Sequence, residues 1–386
     1  MTARTLVAAT SARIRRSAVL QPTVRRGLSV PIVTILDRNG RVLPEEQRAV
    51  VNHALQEGTG ADIIFAAGTT GEWDKLDNPR RQLVARIAVE ECRRHSYNGR
   101  MVEAWVGITA RTRAETLDNL VHALDINADA AVVAPLSIND VHDPADFVVR
   151  EIADCFAHRG RHLPLFLYDN AEIVAAGKPP HLHTRDVKTM SRCNYVRGVK
   201  VTAGKAVLGN YTRAAAHFKR SGEFGIYPGN AYLIFDLFAP PAGVAGHMRN
   251  YWNRYLTRNA MPDGVVAGAA NVMPREWQRA WQVCRTRQGS LMERYGAIMV
   301  DFRTACEFMR SKPYRPTVAC LKAALSDIGV CTSDAVAPGT PSLQESERRE
   351  FLRRFRDIRR RAAARLEPEW LSEWPAPPLR RARRDG

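Results

Sequence analysis

Short apolar runs alternate along this chain with longer segments in which apolar positions recur every three or four residues. The short runs are Val30–Thr34, Asp62–Ala67, Met101–Ile108, Ala130–Pro135, Leu163–Tyr168, Tyr195–Val201, Gly225–Pro228 and Gly264–Ala267. Each has the length and β-branched or aromatic content of a strand. Between them Pro44–Glu57, Pro79–His95, Thr112–Asp125, Pro144–His158, Thr184–Arg192 and Leu208–Arg220 read as helices. Val50, Val51, Ala54 and Leu55 share one face of the first, and Leu117, Leu120, Val121 and Leu124 one face of the third.

Parallel strands joined by crossover helices make an α/β fold. Eight such units in about 250 residues is the size of a closed (β/α)8 TIM barrel. An open doubly wound sheet is the alternative, but it usually carries a phosphate loop, and neither G-x-G-x-x-G nor G-x-x-x-x-G-K occurs. The barrel is expected over 28–274. Pro240-Pro241-Ala242-Gly243 interrupts it and opens an insertion at about 239–262 that carries an aromatic, basic helix. Arg275–Arg310, Arg315–Ile328 and Ser342–Leu366 then form a C-terminal helical extension over 275–368. Residues 1–27 read as a basic flexible tail and 369–386 as a Pro/Arg-rich one.

Charge changes this picture little. The net charge is +17, concentrated towards the ends: no acidic residue precedes Asp37, and Arg380-Arg381-Ala382-Arg383-Arg384 lies among the last residues. Solvated tails and helix faces account for such runs. Without interleaved aromatics or a recognisable module, they do not point to nucleic acid. The N-terminal composition also fits a transit peptide, and a bacterial tail is the preferred reading. No apolar run approaches the roughly 20 residues that cross a bilayer, so no membrane partner is expected. The seven cysteines are odd in number, widely spaced and lack C-x-x-C, which points to reduced thiols in a cytoplasmic protein. His181-Leu182-His183 has no partnered ligand motif, so no metal site is expected.

The candidate chemistry lies at the strand ends, where a barrel of this kind places it. The chain has eight lysines among its 57 Lys+Arg, and one of them, Lys200, ends the sixth apolar run. Arginine cannot lose its proton at working pH, whereas a desolvated lysine can become a nucleophile. The other strand ends offer Gly68-Thr69-Thr70-Gly71-Glu72, Ala134-Pro135-Leu136-Ser137, Tyr168-Asp169-Asn170, Pro228-Gly229-Asn230 and Gly264-Val265-Val266-Ala267-Gly268-Ala269-Ala270-Asn271.

In this order the motifs resemble the dihydrodipicolinate synthase / N-acetylneuraminate lyase family of Schiff-base-forming class I aldolases, from about Leu28 to Leu343 apart from the insertion. The resemblance implies that Lys200 forms an imine with pyruvate or a related 2-oxo acid, with no further cofactor. Tyr168 would shuttle protons, assisted by Thr69. The backbone N–H groups and hydroxyls of Thr69 and Thr70, in a turn bounded by Gly68 and the substrate-binding Gly71, would hold the carboxylate, oriented donors costing no reorganisation. Ser137, Asp169, Gly229, Asn230 and Val266 would shape the substrate pocket, and Glu72 would bond backbone amides of its own loop. A homo-oligomer, dimer or tetramer, is implied as well.

The departures narrow the chemistry. Leu136 and Ser137 stand where the synthases usually have a relay tyrosine. Ile173 stands where they carry an arginine for the aldehyde's carboxylate, and Val201 replaces the usual acidic residue. The expected function is therefore a lyase making or breaking a C–C bond between the 2-oxo acid and another aldehyde, not lysine biosynthesis. A dehydratase of a 2-oxo-3-deoxy sugar acid using the same imine, and a catalytically silent barrel with a binding or regulatory role, are the alternatives.

Overall fold

The computed structural model of the chain describes residues 24–96, 101–219, 222–252, 259–307 and 317–366. Eight parallel strands form one sheet: β1 (Gly27–Pro31), β2 (Ile63–Ala66), β3 (Glu103–Gly107), β4 (Ala130–Val133), β5 (Leu165–Asn170), β6 (Val196–Thr202), β7 (Gly225–Pro228) and β8 (Gly264–Val266). The ladder runs in chain order from β1 to β7, with β8 on the other side of β1. The remaining seam is bridged by Asp263, whose N–H donates to the Ile226 carbonyl (3.0 Å) and whose carboxylate accepts from the Ile226 N–H (3.3 Å). The result is a nearly closed (β/α)8 barrel.

Crossover helices cover its outside: α1 (Pro44–Leu55), α2 (Asn78–Arg94), α3 (Arg113–Asp125), α4 (Ile152–Arg159, entered through a π-turn at Phe147–Glu151), α5 (Thr184–Ser191), α6 (Lys205–Ala214) and α7 (Leu233–Leu237). Their starts follow local chemistry. Pro44 and Pro79 supply fixed φ in the first turns of α1 and α2, and the Asp77 and Thr112 side chains accept from the N–H groups of Arg80 and Glu115.

Side-chain alternation sorts the strands into two cores. The outward set, with the helices, makes the large core. The inward set is small and aromatic: Phe65, Trp105, Phe166, Tyr168 and Tyr227, with Val132 and Val266 among them. Trp105 stacks on Phe166 at 3.9 Å, and Tyr227 meets both edge-on. These rings fill the barrel interior beneath the chamber at the strands' C-terminal ends.

Several sequence expectations need correction. The first strand was expected at Val30–Thr34, but the ladder occupies Gly27–Pro31. The Ile32 N–H still donates to the Phe65 carbonyl, but beyond it side chains take over as acceptors: the Asn271 side-chain carbonyl accepts from the Val33 N–H and that of Gln47 from the Ile35 N–H. The barrel therefore starts before 28. Within the expected tail 1–27, residues 1–23 lie outside the described residues, but Val24 belongs to the inward core and the Arg25 carbonyl accepts from Tyr227 Oη at 2.5 Å. These residues form part of the barrel floor. The helix expected at Leu208–Arg220 runs from Lys205 to Ala214 and tightens into a 3-10 turn at Ala215–His217.

Two helices, α9 (Pro274–Arg285) and α10 (Gly289–Glu307), replace the single one expected from Arg275. Arg287 turns left-handed at φ 53° between them, and the Gln288 N–H caps the Val283 carbonyl. The insertion, which precedes α9, carries α8 (Gly243–Tyr251). The extension continues with α11 (Thr317–Asp327) and α12 (Glu345–Arg365), joined to α10 through Phe302, Phe351 and Phe355. The expected tail 369–386 lies outside the described residues.

Candidate active site

Strand alternation puts Tyr168 and Lys200 side by side and inward, since they are register partners on β5 and β6. Lys200 Nζ lies 3.8 Å from the centre of the Tyr168 ring and 4.8 Å from that of Phe65. Both residues are buried, at 6% and 5% exposure. The Tyr168 hydroxyl is 3.2 Å from Thr69 Oγ1. It also accepts from Asn170 Nδ2 at 3.1 Å and lies 3.5 Å from Thr202 Oγ1. One lysine, one phenol and three short polar side chains thus share a chamber floored by aromatic rings.

The electrostatics follow from that enclosure. Burial lowers the Lys200 pKa, opposed by the nearby phenol. For Tyr168 burial works against the phenolate, but the Lys200 charge and the hydroxyls of Thr202 and Thr69 outweigh it and bring the phenol below its ordinary value. The two groups are close enough to titrate together, each favouring the other's charged form. Lys200 is a nucleophile when neutral, and a proton can pass between amine and phenol over a short path.

The turn after β2 presents the threonines. Gly68 is extended, Thr69–Gly71 form a 3-10 turn, and Glu72 is left-handed at φ 59°. The Gly71 carbonyl accepts from Thr34 Oγ1 at 2.8 Å. A Cβ at Gly71 would come 3.1 Å from the Ile32 carbonyl, so a side chain would push the turn off β1. Thr70 Oγ1 lies beside Gly268 of the turn after β8, 3.8 Å from where a Cβ there would sit. Asn271 fixes that second turn by donating to the carbonyls of Pro31 (2.9 Å) and Gly268 (2.8 Å). Gly229 packs against the lysine strand: a Cβ would overlap Thr202 Oγ1 and come 3.2 Å from Lys200 Cε.

A model of the dihydrodipicolinate synthetase family matches residues 25–248. The chain belongs to that family. A 4-hydroxy-tetrahydrodipicolinate synthase from Saccharophagus degradans is 27% identical to it over 321 residues, covering 82% of this chain and 93% of the relative. The dihydrodipicolinate synthase structure from Bacteroides thetaiotaomicron superposes with a TM-score of 0.69 at 19% identity, covering 87% of this chain and 99% of that one. YagE from Escherichia coli K12, a prophage protein of the same family crystallised with pyruvate, superposes with a TM-score of 0.67, also at 19% identity and over 87% and 99% of the two chains.

In this dihydrodipicolinate synthetase family member, most of the residues singled out from sequence meet at the barrel mouth. Lys200, Tyr168 and Thr69 are joined directly, and Gly229 supports them. Val266 lies in the same inward core as Tyr168. Ser137 lies in the turn after β4, buried, with no hydrogen-bond partner for its hydroxyl. Asn230 follows Gly229 and is half-buried.

Asp169 is the exception. As the neighbour of an inward residue it faces out, so it does not shape the chamber. Its carboxylate accepts from Tyr211 Oη (2.9 Å) and the Leu182 N–H (3.0 Å), with His181 Nδ1 at 2.9 Å. It ties the segment before α5 to α6. Glu72 also departs from expectation: its partners are the Ala337 N–H and Lys322, not amides of its own loop.

Asn170 was quoted from sequence only as part of a strand end and given no role, and Thr202 was not singled out at all. The signal was there: each lies two residues after an inward site residue on the same strand, and period-two alternation returns it to the same face. Among the described residues no helix is long and apolar enough to cross a membrane, and no cluster of three or more His, Cys, Asp or Glu could hold a metal ion.

Proposed function

We propose that this protein is a class I aldolase or lyase that joins Lys200 to pyruvate or a related 2-oxo acid and makes or breaks a C–C bond to an aldehyde. The observation carrying this reading is the buried Lys200 amine over the Tyr168 ring, with that ring's hydroxyl 3.2 Å from Thr69.

The neutral amine attacks the ketone carbon; the oxygen takes one proton from the attacking nitrogen and one from Tyr168, and leaves as water. The resulting protonated imine withdraws electrons, so the Tyr168 phenolate removes a proton from the adjacent carbon to give an enamine. The enamine carbon attacks the aldehyde, whose oxygen takes that proton from Tyr168, and water then hydrolyses the imine, freeing Lys200 as the neutral amine and returning the spare proton to the phenolate. Cleavage is the same sequence reversed. Throughout, the amides and hydroxyls of Thr69 and Thr70 hold the substrate carboxylate, and the aromatic floor excludes water from below.

Ile173 packs against the inward core instead of presenting a cation. This supports an aldehyde without a second carboxylate, so the reaction differs from that of a true dihydrodipicolinate synthase. The test is turnover. Pyruvate consumption, and its release from aldol adducts, is measured against neutral and carboxylated aldehydes, with Lys200→Arg as control. Turnover of neutral aldehydes by the wild type alone is expected. Activity surviving in K200R rules the mechanism out, and a preference for carboxylated aldehydes overturns the assigned specificity.

A further inference from the structure

The turn that carries Thr69 and Thr70 is an unusual piece of backbone. Ala67 (φ 54°) and Glu72 (φ 59°) enclose it, both left-handed without being glycine. Side chains rarely adopt that conformation, and it persists where surrounding contacts over-determine it. On the β1 side those contacts are the Thr34 hydrogen bond and the close fit of Gly71.

On the other side the contacts come from the far end of the chain. Lys322, on α11, is fully buried, as is Glu72 at 2% exposure. Lys322 Nζ donates to Glu72 Oε2 at 2.5 Å and to the Ala335 carbonyl at 2.8 Å. Glu72 Oε1 accepts from the Ala337 N–H at 2.7 Å. Both carboxylate oxygens are therefore occupied, and both partners belong to the segment running from α11 to Ala337. A further bridge, Leu36 to Ala335, ties the same segment to the chain following β1. A buried ion pair fixes geometry when each partner's remaining valences are satisfied, and leaves a severe defect when one partner is removed.

We propose that Lys322 is a positioning residue for 2-oxo acid binding: through Glu72 it locks the Thr69–Thr70 turn in the shape that grips the substrate carboxylate. The C-terminal extension is then part of the binding site, although Lys322 lies outside the span matched by the family model. The claim rests on the proposed role of those threonines.

Two readouts test it in the full-length protein. The first is amide hydrogen exchange across residues 68–73, which needs no substrate. The second is borohydride trapping of the pyruvate adduct, read as half-saturating pyruvate and as maximal trapping rate. Lys322→Met leaves Glu72 buried and unpaired and is the severe variant. Should it fail to fold, Glu72→Leu with Lys322→Met removes both charges and keeps a packed apolar pair.

In the double variant the turn amides are expected to exchange at least tenfold faster. Half-saturating pyruvate rises at least tenfold, while the maximal rate stays within about threefold. A double variant with wild-type turn exchange and wild-type half-saturation overturns the proposal and leaves the pair a plain stabiliser. If wild type itself traps no pyruvate, the proposed function fails, and turn exchange still decides whether Lys322 holds the turn.

Discussion

Lys200 is nucleophilic only without its proton, and burial lowers the pKa at which it loses one. Imine formation with pyruvate should therefore rise with pH and reach half its maximum below the ordinary lysine value of 10.5; a midpoint at or above that value contradicts a desolvated amine. Tyr168→Phe keeps the ring under the amine but removes the proton carrier. Turnover should fall by about 10²–10⁴, while the protein keeps its melting temperature to within a few degrees. Asn170→Ala and Thr202→Val remove donors to the same oxygen. Both should shift the pH profile toward alkaline values, because a hydrogen bond to the charged form favours it.

At this scale the sequence was readable where a residue type is chemically singular. A lysine at the end of an apolar run stands out in a chain that mostly uses arginine, and so does a tyrosine ending the run before it, although both strands continue two residues further. Asp169 was misread because adjacent residues on a strand face opposite sides, and polarity alone does not tell which side is the chamber. Asn170 and Thr202 were recoverable from that same alternation.

The elements that carry the site are locked by short-range contacts that substitutions can break singly. Gly229 leaves no room for a methyl between β7 and β6. Gly229→Ala should displace Thr202, press on Lys200 and abolish turnover, with a smaller effect on stability. Asn271 makes three hydrogen bonds, one accepted from Val33 and two donated to Pro31 and Gly268. At about 1 kcal/mol each, Asn271→Ala should cost roughly 3 kcal/mol, measured by denaturant unfolding.

Strand and helix positions were legible from periodicity, and their ends were not. The first strand was read three residues late because Ile32, Val33 and Ile35 are as apolar as the true strand, yet the Val33 and Ile35 N–H groups are satisfied by the side chains of Asn271 and Gln47. The break before α10 was missed because Arg287 takes a left-handed conformation usually left to glycine or asparagine.

For the whole molecule, the extension and the barrel form one unit joined by buried polar groups whose partners are hundreds of residues apart. No local pattern signals such a link, so the Lys322–Glu72 pair was invisible in the sequence. Another buried group contributes to the pH response of the fold. Glu276, at the start of α9, is buried with one carboxylate oxygen unpartnered, and burial raises its pKa to about 7. The folded state therefore prefers the protonated acid. Stability is lost as pH rises from the ordinary 4.5 towards about 7, and the full cost is present above that. Glu276→Gln should raise the melting temperature at pH 8 and leave it nearly unchanged at pH 4; an equal effect at both would contradict a buried, ionising Glu276.

The account as a whole depends on one covalent bond. Reduction of the protein with borohydride in the presence of pyruvate, followed by digestion and mass spectrometry, locates it directly. The adduct is predicted on Lys200 and on no other of the eight lysines. A protein that stays unmodified, or that carries the adduct elsewhere, contradicts the mechanism.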